Sequence, residues 1–392
     1  MDVTKNKNKN INDVNKNKLK KIKFKKITSL AFSTPLLISQ SGLAEGENRY
    51  KIKTLFNQMD QEGSGGTQVI DGKKKQDLKV SEPIVFIGYK ITEETNVNFN
   101  YIVDSWTSAS DKAFDDSTAA SFTNKQERKA YNASYAADYK KFGYTISAGN
   151  SKESDYESNN FSIGGFKTFA DDNFVLGLTY SQFNDKSQLY DVIGDYKKPF
   201  KPRDIRALDL SASQILTTHD VLNFGITQVS QSGVLEGTLN TVSVNDIRKE
   251  EILPDSRNRS AYFIKWLHAI NEENALHFFY RLYQDTWESK ANTLEVSYLK
   301  SLWEDEGVLE IFARGYQQND NKYFEKDFDQ DEKYMTSDAD LSKLSSHQYG
   351  FLLEKNFDQQ SFTWSIVGGL SSYVRSNDLS YQTGQLGLKV EF

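Results

Sequence analysis

Cysteine is absent from the 392 residues, which excludes disulfides, thiol catalysis, covalently attached haem and the lipid-bearing cysteine of an exported lipoprotein. Proline is scarce, five in all, and no Pro-rich, Gly/Ser-rich or charge-block segment divides the chain, so one large domain is expected. Nowhere do about twenty apolar residues run together, so no membrane helix is encoded. The four histidines, His219, His268, His277 and His347, are too far apart for a metal pair at helical spacing. Gly63-Ser64-Gly65-Gly66 and Gly72-Lys73 lack the spacing and the Ser/Thr of a phosphate loop and read as flexible loop. Acids alternate in the loop Lys326-Asp327-Phe328-Asp329-Gln330-Asp331-Glu332, but the glycine and closing glutamate of an EF-hand loop are missing, so a solvated acidic loop is expected rather than a calcium site. A serine hydrolase would require His277 to meet a serine across strands, and nothing else points to catalysis. No enzyme, no metal and no cofactor is expected.

What is present begins with charge. Residues 1–26 are rich in lysine and end Lys18-Leu19-Lys20-Lys21-Ile22-Lys23-Phe24-Lys25-Lys26. An apolar stretch from Ile27 to Ile38 follows, broken by Ser29, Ser33 and Pro35, and then the small residues Gly42-Leu43-Ala44. This is the build of a secretory signal peptide, residues 1–44, cleaved before Glu45. Ten of the 48 basic residues but only two of the 54 acidic ones precede Glu45, leaving a net charge of about −14. So acidic a chain is not expected to bind nucleic acid. Aromatic residues make up 13% of a sequence with mean hydropathy −0.64, which suits strands with aromatic girdles joined by polar loops.

At the other end, Gln385-Leu386-Gly387-Leu388-Lys389-Val390-Glu391-Phe392 alternates without a break. Leu386, Leu388, Val390 and Phe392 share one face, as in the closing strand and insertion signal of an outer-membrane barrel. Segments of period two recur, with connections alternately short and long. Strands are expected at 50–56, 84–91, 97–104, 129–139, 143–149, 158–168, 174–183 and onward to 379–392. Short turns are expected at 93–95, 140–142, 171–173, 217–220, 271–274, 304–307 and 356–359, and longer loops at 111–128, 185–203, 231–258, 284–291, 317–341 and 373–379. The expected fold is all-β, a transmembrane antiparallel up-and-down β-barrel of about 16 strands over residues 45–392, with both ends periplasmic.

Faces follow from cost, because lysine or arginine facing lipid at mid-depth costs about 2–4 kcal/mol. Val97, Phe99, Tyr101 and Val103 would face lipid and Asn96, Asn98, Asn100 and Asp104 the lumen; Tyr131, Ala133, Tyr135, Ala137 and Tyr139 would oppose Asn132, Ser134 and Asp138. Mixed charge collects on four consecutive strands, where Lys265, His277, Arg281, Asp285, Glu295, Glu310 and Arg314 oppose apolar outward neighbours. With Asp104 and Asp138 these form the candidate lumen or selectivity set. The same residues also fit a structural ladder of mutually satisfied charges.

Five stretches then carry a family resemblance: Val103–Ser110, Leu253–Arg259, Tyr280–Trp287, Arg314–Gln318 and Tyr334–Leu341, with Tyr280-Arg281-Leu282-Tyr283-Gln284-Asp285-Thr286-Trp287 the most specific. They resemble motifs of a bacterial outer-membrane barrel family catalogued as domain of unknown function 3570. The resemblance implies the fold and a Gram-negative outer-membrane location, and supplies no substrate. Three readings stand. One is a porin-like channel for small polar or charged solutes, with access restricted by the loops Asp111 to Arg128, Gln231 to Arg257 and Asn319 to Asp340. Another is a non-conducting barrel holding a periplasmic or surface protein, and the third a soluble exported sandwich. Expected partners are the outer-membrane bilayer and, during biogenesis, the barrel-assembly machinery and periplasmic chaperones.

Overall fold

The computed structural model describes residues 49–65, 78–108, 125–359 and 361–392. The expected signal peptide, Asp111 and Asp115, and the Gly72-Lys73 pair lie outside these residues.

Alternation of apolar and polar residues dictates extended chain, and the described residues are almost wholly strand. The first eight strands are β1 (Tyr50–Gly63), β2 (Leu78–Lys90), β3 (Thr95–Ser108), β4 (Lys125–Tyr139), β5 (Phe142–Lys152), β6 (Tyr156–Phe169), β7 (Phe174–Asp191) and β8 (Tyr196–Ile215). They continue with β9 (Asp220–Gly233), β10 (Thr241–Val244), β11 (Ile247–Glu250), β12 (Ser256–Ala269) and β13 (Asn274–Asp285). The last are β14 (Lys290–Leu302), β15 (Gly307–Gln318), β16 (Leu344–Asp358), β17 (Thr363–Arg375) and β18 (Leu379–Glu391). Sixteen of them close into one antiparallel barrel in sequence order, while β10 and β11 form a separate hairpin. The seam pairs β1 with β18 from Lys51 opposite Glu391 to Gly63 opposite Leu379. Two backbone hydrogen bonds between Tyr50 and Phe392, of 2.7 and 3.0 Å, finish it. Closure leaves no unpaired edge, the condition for strands to cross a bilayer.

The outward face is an apolar belt. Leu178, Leu210, Ile226, Ile264, Leu282, Leu294, Ile311, Phe351, Leu370 and Leu386 are all exposed. Such a belt would be an aggregation surface in water and is what lipid requires. Aromatic pairs cluster by the short turns: Tyr50 with Phe392, Tyr139 with Phe142, Phe169 with Phe174 and Phe357 with Trp364, at centroid separations of 5.4, 4.9, 5.9 and 4.0 Å. Their place matches an interfacial girdle. The chain is therefore an outer-membrane barrel, and the soluble sandwich is discarded, because its apolar face would be inside.

Two predicted faces hold as read: Val97, Phe99 and Tyr101 are exposed outward, while Asn96 is buried and Asn98 and Asn100 half-buried inward. Leu386, Leu388 and Phe392 likewise face outward. The expected loop at 185–203 is instead strand, since β7 and β8 run on as a paired hairpin to Asp191 and Tyr196. Above the bilayer neither face needs apolar residues, so the hydropathy signal faded there while the backbone pairing continued. Segments 284–291 and 373–379 contain tight turns, because β13 and β17 extend to Asp285 and Arg375. The turn expected at 356–359 falls later, since β16 continues to Asp358. Short turns use backbone that twists with the strands, as at Asp171 and Asp172, with φ of 52° and 68°.

Replacing Leu210, whose register neighbours are Leu178 and Ile226, by arginine is expected to cost about 2–4 kcal/mol. Adjacent Ser211 faces the lumen and is exposed; arginine there is expected to change stability by no more than about 0.5 kcal/mol. Denaturant unfolding in lipid vesicles measures both, and equal costs would contradict the face assignment.

Candidate functional site

Hydrogen-bonded register brings part of the predicted set together on the inner wall. Lys265 on β12 lies opposite Phe279, Phe279 opposite Glu295 on β14, and Glu295 opposite Arg314 on β15. Arg314 holds Glu295 through Nε at 2.6 Å and a terminal nitrogen at 2.5 Å, both on the same carboxylate oxygen, Oε2. Glu310 hydrogen-bonds the Ser297 hydroxyl, and Lys265 feels both Glu295 and Glu310. Lys265, Glu295, Glu310 and Arg314 thus form one cluster. His277 sits beside Lys265, buried, its Nε2 without a hydrogen-bond partner. Arg281 points inward by alternation, is exposed, and makes no ion pair among the described residues.

Three predicted members lie elsewhere. Asp104 is buried and paired with Arg128, whose Nε donates to it at 2.5 Å, with Glu82 alongside. Asp138 is exposed at the short-turn end of β4, where its backbone N–H donates to the Glu94 carbonyl at 2.7 Å. Asp285, with its side chain fully buried, belongs to a knot at the long-loop end. Arg257 donates to it at 2.9 and 2.5 Å, Tyr283 Oη at 2.7 Å, and the N–H groups of Trp287 and Ser289 at 2.9 and 3.1 Å. Trp287 lies 4.3 Å under the Arg257 guanidinium and donates Nε1–H to the Ser256 carbonyl at 3.0 Å.

This knot extends into a cap made from two long connections. The β10–β11 hairpin packs on the loop between β15 and β16, burying Val242, Val244, Phe328 and Met335 in a small apolar core. The 326–332 segment is a solvated loop as expected in its acids, all of them exposed, and departs from that expectation at Phe328, which is 2% exposed. Asp327 accepts from the Asp246 N–H at 3.1 Å, and Asp331 pairs with Lys249. Among the described residues no three His, Cys, Asp or Glu side chains converge as a metal site. Behind this core, buried Glu251 accepts from Thr336 Oγ1 at 2.5 Å, the Gly237 N–H at 2.9 Å and Asn240 Nδ2 at 3.3 Å. Burial and nearby Asp338 push the Glu251 carboxyl up to about 8, and burial raises Asp338 as well. Asp340 reaches across to Arg375 on β17 at 2.6 Å. Three of the sequence stretches singled out above, 253–259, 280–287 and 334–341, thus meet in one structural unit at the outer rim. Sequence reading missed Arg257, Arg259 and Glu251, although continuing the alternation of β12 back to Ser256 points both arginines inward.

A family model described as "Protein of unknown function (DUF3570)" matches residues 123–390. No curated protein matches. Among solved structures, Pseudomonas aeruginosa OpdK with vanillate is similar over 88% of this chain and 98% of that one, at 7% identity and a TM-score of 0.43. A bacterial polysaccharide outer membrane secretin is similar over 89% and 100%, at 8% identity and a TM-score of 0.48. A Pseudomonas aeruginosa FadL homologue is similar over 88% and 90%, at 10% identity and a TM-score of 0.41.

Proposed function

We propose, for a chain that belongs to the DUF3570 family, a porin-like channel that passes small polar or charged solutes across the outer membrane. The observation that carries this reading is Arg281, an inward-facing guanidinium that is exposed and without an ion-pair partner among the described residues. A lumen filled by side chains would leave no room for such a group, whereas a wetted one hydrates it. Beside it the Lys265, Glu295, Glu310 and Arg314 cluster supplies fixed charge in a low-dielectric wall, where fields are focused on a passing ion. Exclusion of water and chemistry on a substrate are not needed; the residues hold charge at fixed positions and the solute diffuses past. The signal peptide and the assembly machinery belong to this reading as the route of export.

Single-channel recording of the purified protein in a planar bilayer tests it. Discrete conductance steps are expected, and Arg281→Glu is expected to shift permeability toward cations by a factor of about 3 or more. Reversing one charge about 4 Å from the ion's path changes its energy by about 2 kcal/mol even at the dielectric constant of water, before salt screens it. A folded but silent barrel would overturn the channel. That outcome would favour the second reading, a docking barrel, for which the ordered cap at the outer rim is the supporting observation. A partner retained in mild detergent would then be expected.

A further inference from the structure

We infer that the outer part of the lumen contains an anion-binding subsite built on Arg259, flanked by Arg203 and Arg257, which receives the carboxylate or phosphate group of a solute. Alternation on β12 sets the direction: Tyr262, Ile264 and Trp266 are exposed to lipid, so Arg257, Arg259, Ala261 and Lys265 point inward. Arg259 is half-buried, and its Nε is buried without a hydrogen-bond partner. The like charges of Arg257 and Arg203 both act on it.

Each neighbour is otherwise engaged. Arg257 is held by Asp285. Arg203 gives its Nε to the Val234 carbonyl at 2.5 Å and a terminal nitrogen to the Glu236 carbonyl at 3.2 Å, both neutral acceptors. Asp285 is the carboxylate acting on Arg259, and its oxygens are already taken up by Arg257, Tyr283, Trp287 and Ser289. Arg203 also lies across from buried Asp185, and Arg257 is held by Asp285, so of the three guanidiniums Arg259 is the one with an unmet buried donor, its Nε–H. A buried donor left unmet costs about 1–3 kcal/mol, more for a charged group, and an anion accepting N–H bonds through two of its oxygens relieves that cost. The next inward residue on β12 is the small, buried Ala261. The inference deepens the channel reading by giving the class of solute; it rests on that reading for passage but not for binding.

Thermal unfolding of the full-length barrel in detergent, followed with inorganic phosphate against chloride at equal ionic strength, reads binding without any current. The wild type is expected to gain stability with phosphate, Arg259→Gln to need about tenfold more phosphate for the same gain, and Lys53→Gln, near the opposite end of β1, to respond as wild type. Were Arg259→Gln not to fold, Arg259→Lys keeps the charge but loses the planar fork and is expected to respond more weakly. An equal response from either Arg259 variant, or no phosphate effect on the wild type, overturns the subsite. A phosphate effect that depends on Arg259 in a barrel without conductance upholds the subsite and overturns the channel. Conductance without an Arg259-dependent phosphate effect does the reverse.

Discussion

Asp285→Ala is expected to cost the outer rim about 3–5 kcal/mol, the penalty of leaving a buried charge without its partner. The carboxylate is fully buried and gathers five donated hydrogen bonds from Arg257, Tyr283, Trp287 and Ser289. Its removal strands the Arg257 guanidinium, which is only 10% exposed, and frees the turn that joins β13 to β14. Arg257 then has one remaining side-chain acceptor, the Ser289 hydroxyl at 3.4 Å. Removing both members of the pair, as Arg257→Met with Asp285→Leu, is expected to cost much less, because no uncompensated charge is left. Unfolding midpoints in detergent for the single and double variants measure the difference. A single-variant cost below about 1 kcal/mol would mean that water reaches the knot.

The second large effect is on pH. The folded cap holds Glu251 with its carboxyl pushed up to about 8 from an ordinary 4.5, burial being the main cause and Asp338 the next. Once the cap opens the group releases its proton freely above pH 4.5. Its contribution to cap stability is therefore complete below about pH 4.5 and is lost as pH rises through about 8, with a total on the order of a few kcal/mol. Asp338, raised in the same sense by burial and by Asp340, adds to the trend. The observable is local, so hydrogen exchange at the Met335 and Thr336 amides, bonded to Ile252 and Tyr323 at 2.7 and 2.9 Å, is the measurement. Protection, corrected for intrinsic exchange, is expected to fall from pH 5 to pH 8 in the wild type and to fall far less in Glu251→Gln. Equal slopes would show the carboxyl to be ionised within the folded cap.

Where lipid imposed a penalty the sequence was readable. The alternation at Asn96–Asp104 and at Gln385–Phe392 was enough to set faces, because each outward position had to be apolar, and the recurrence of such segments between alternately short and long connections led to a count of about sixteen. The inner wall gave way more reluctantly. Glu295 and Arg314 were visible as inward charges, but that they pair depends on a register set by the lengths of the turns between β14 and β15. Asp285 looked like a lumen charge, and only the knot with Arg257, 28 residues away, removes it from the channel. The cap was hidden for a different reason. Phe328 sits between acids in a segment whose composition is that of a solvated loop, and its burial requires Val242 and Val244 from a hairpin far away in sequence. Short-range pattern carries no trace of such a contact.

The stitching of the outer rim also has a kinetic meaning. Apart from the β1–β18 seam, the barrel strands pair with near neighbours in sequence, whereas these rim contacts span longer stretches: Lys198 to Glu250, Glu251 to Thr336 and Arg375 to the Gly65 carbonyl. Contacts that close such distances carry a larger loop-closure cost and form after local pairing. They need β8, β12, β16 and β17 already in place, so they cannot guide the wall into the membrane. They act instead as a latch that falls after insertion, slowing the barrel's unfolding without hastening its assembly.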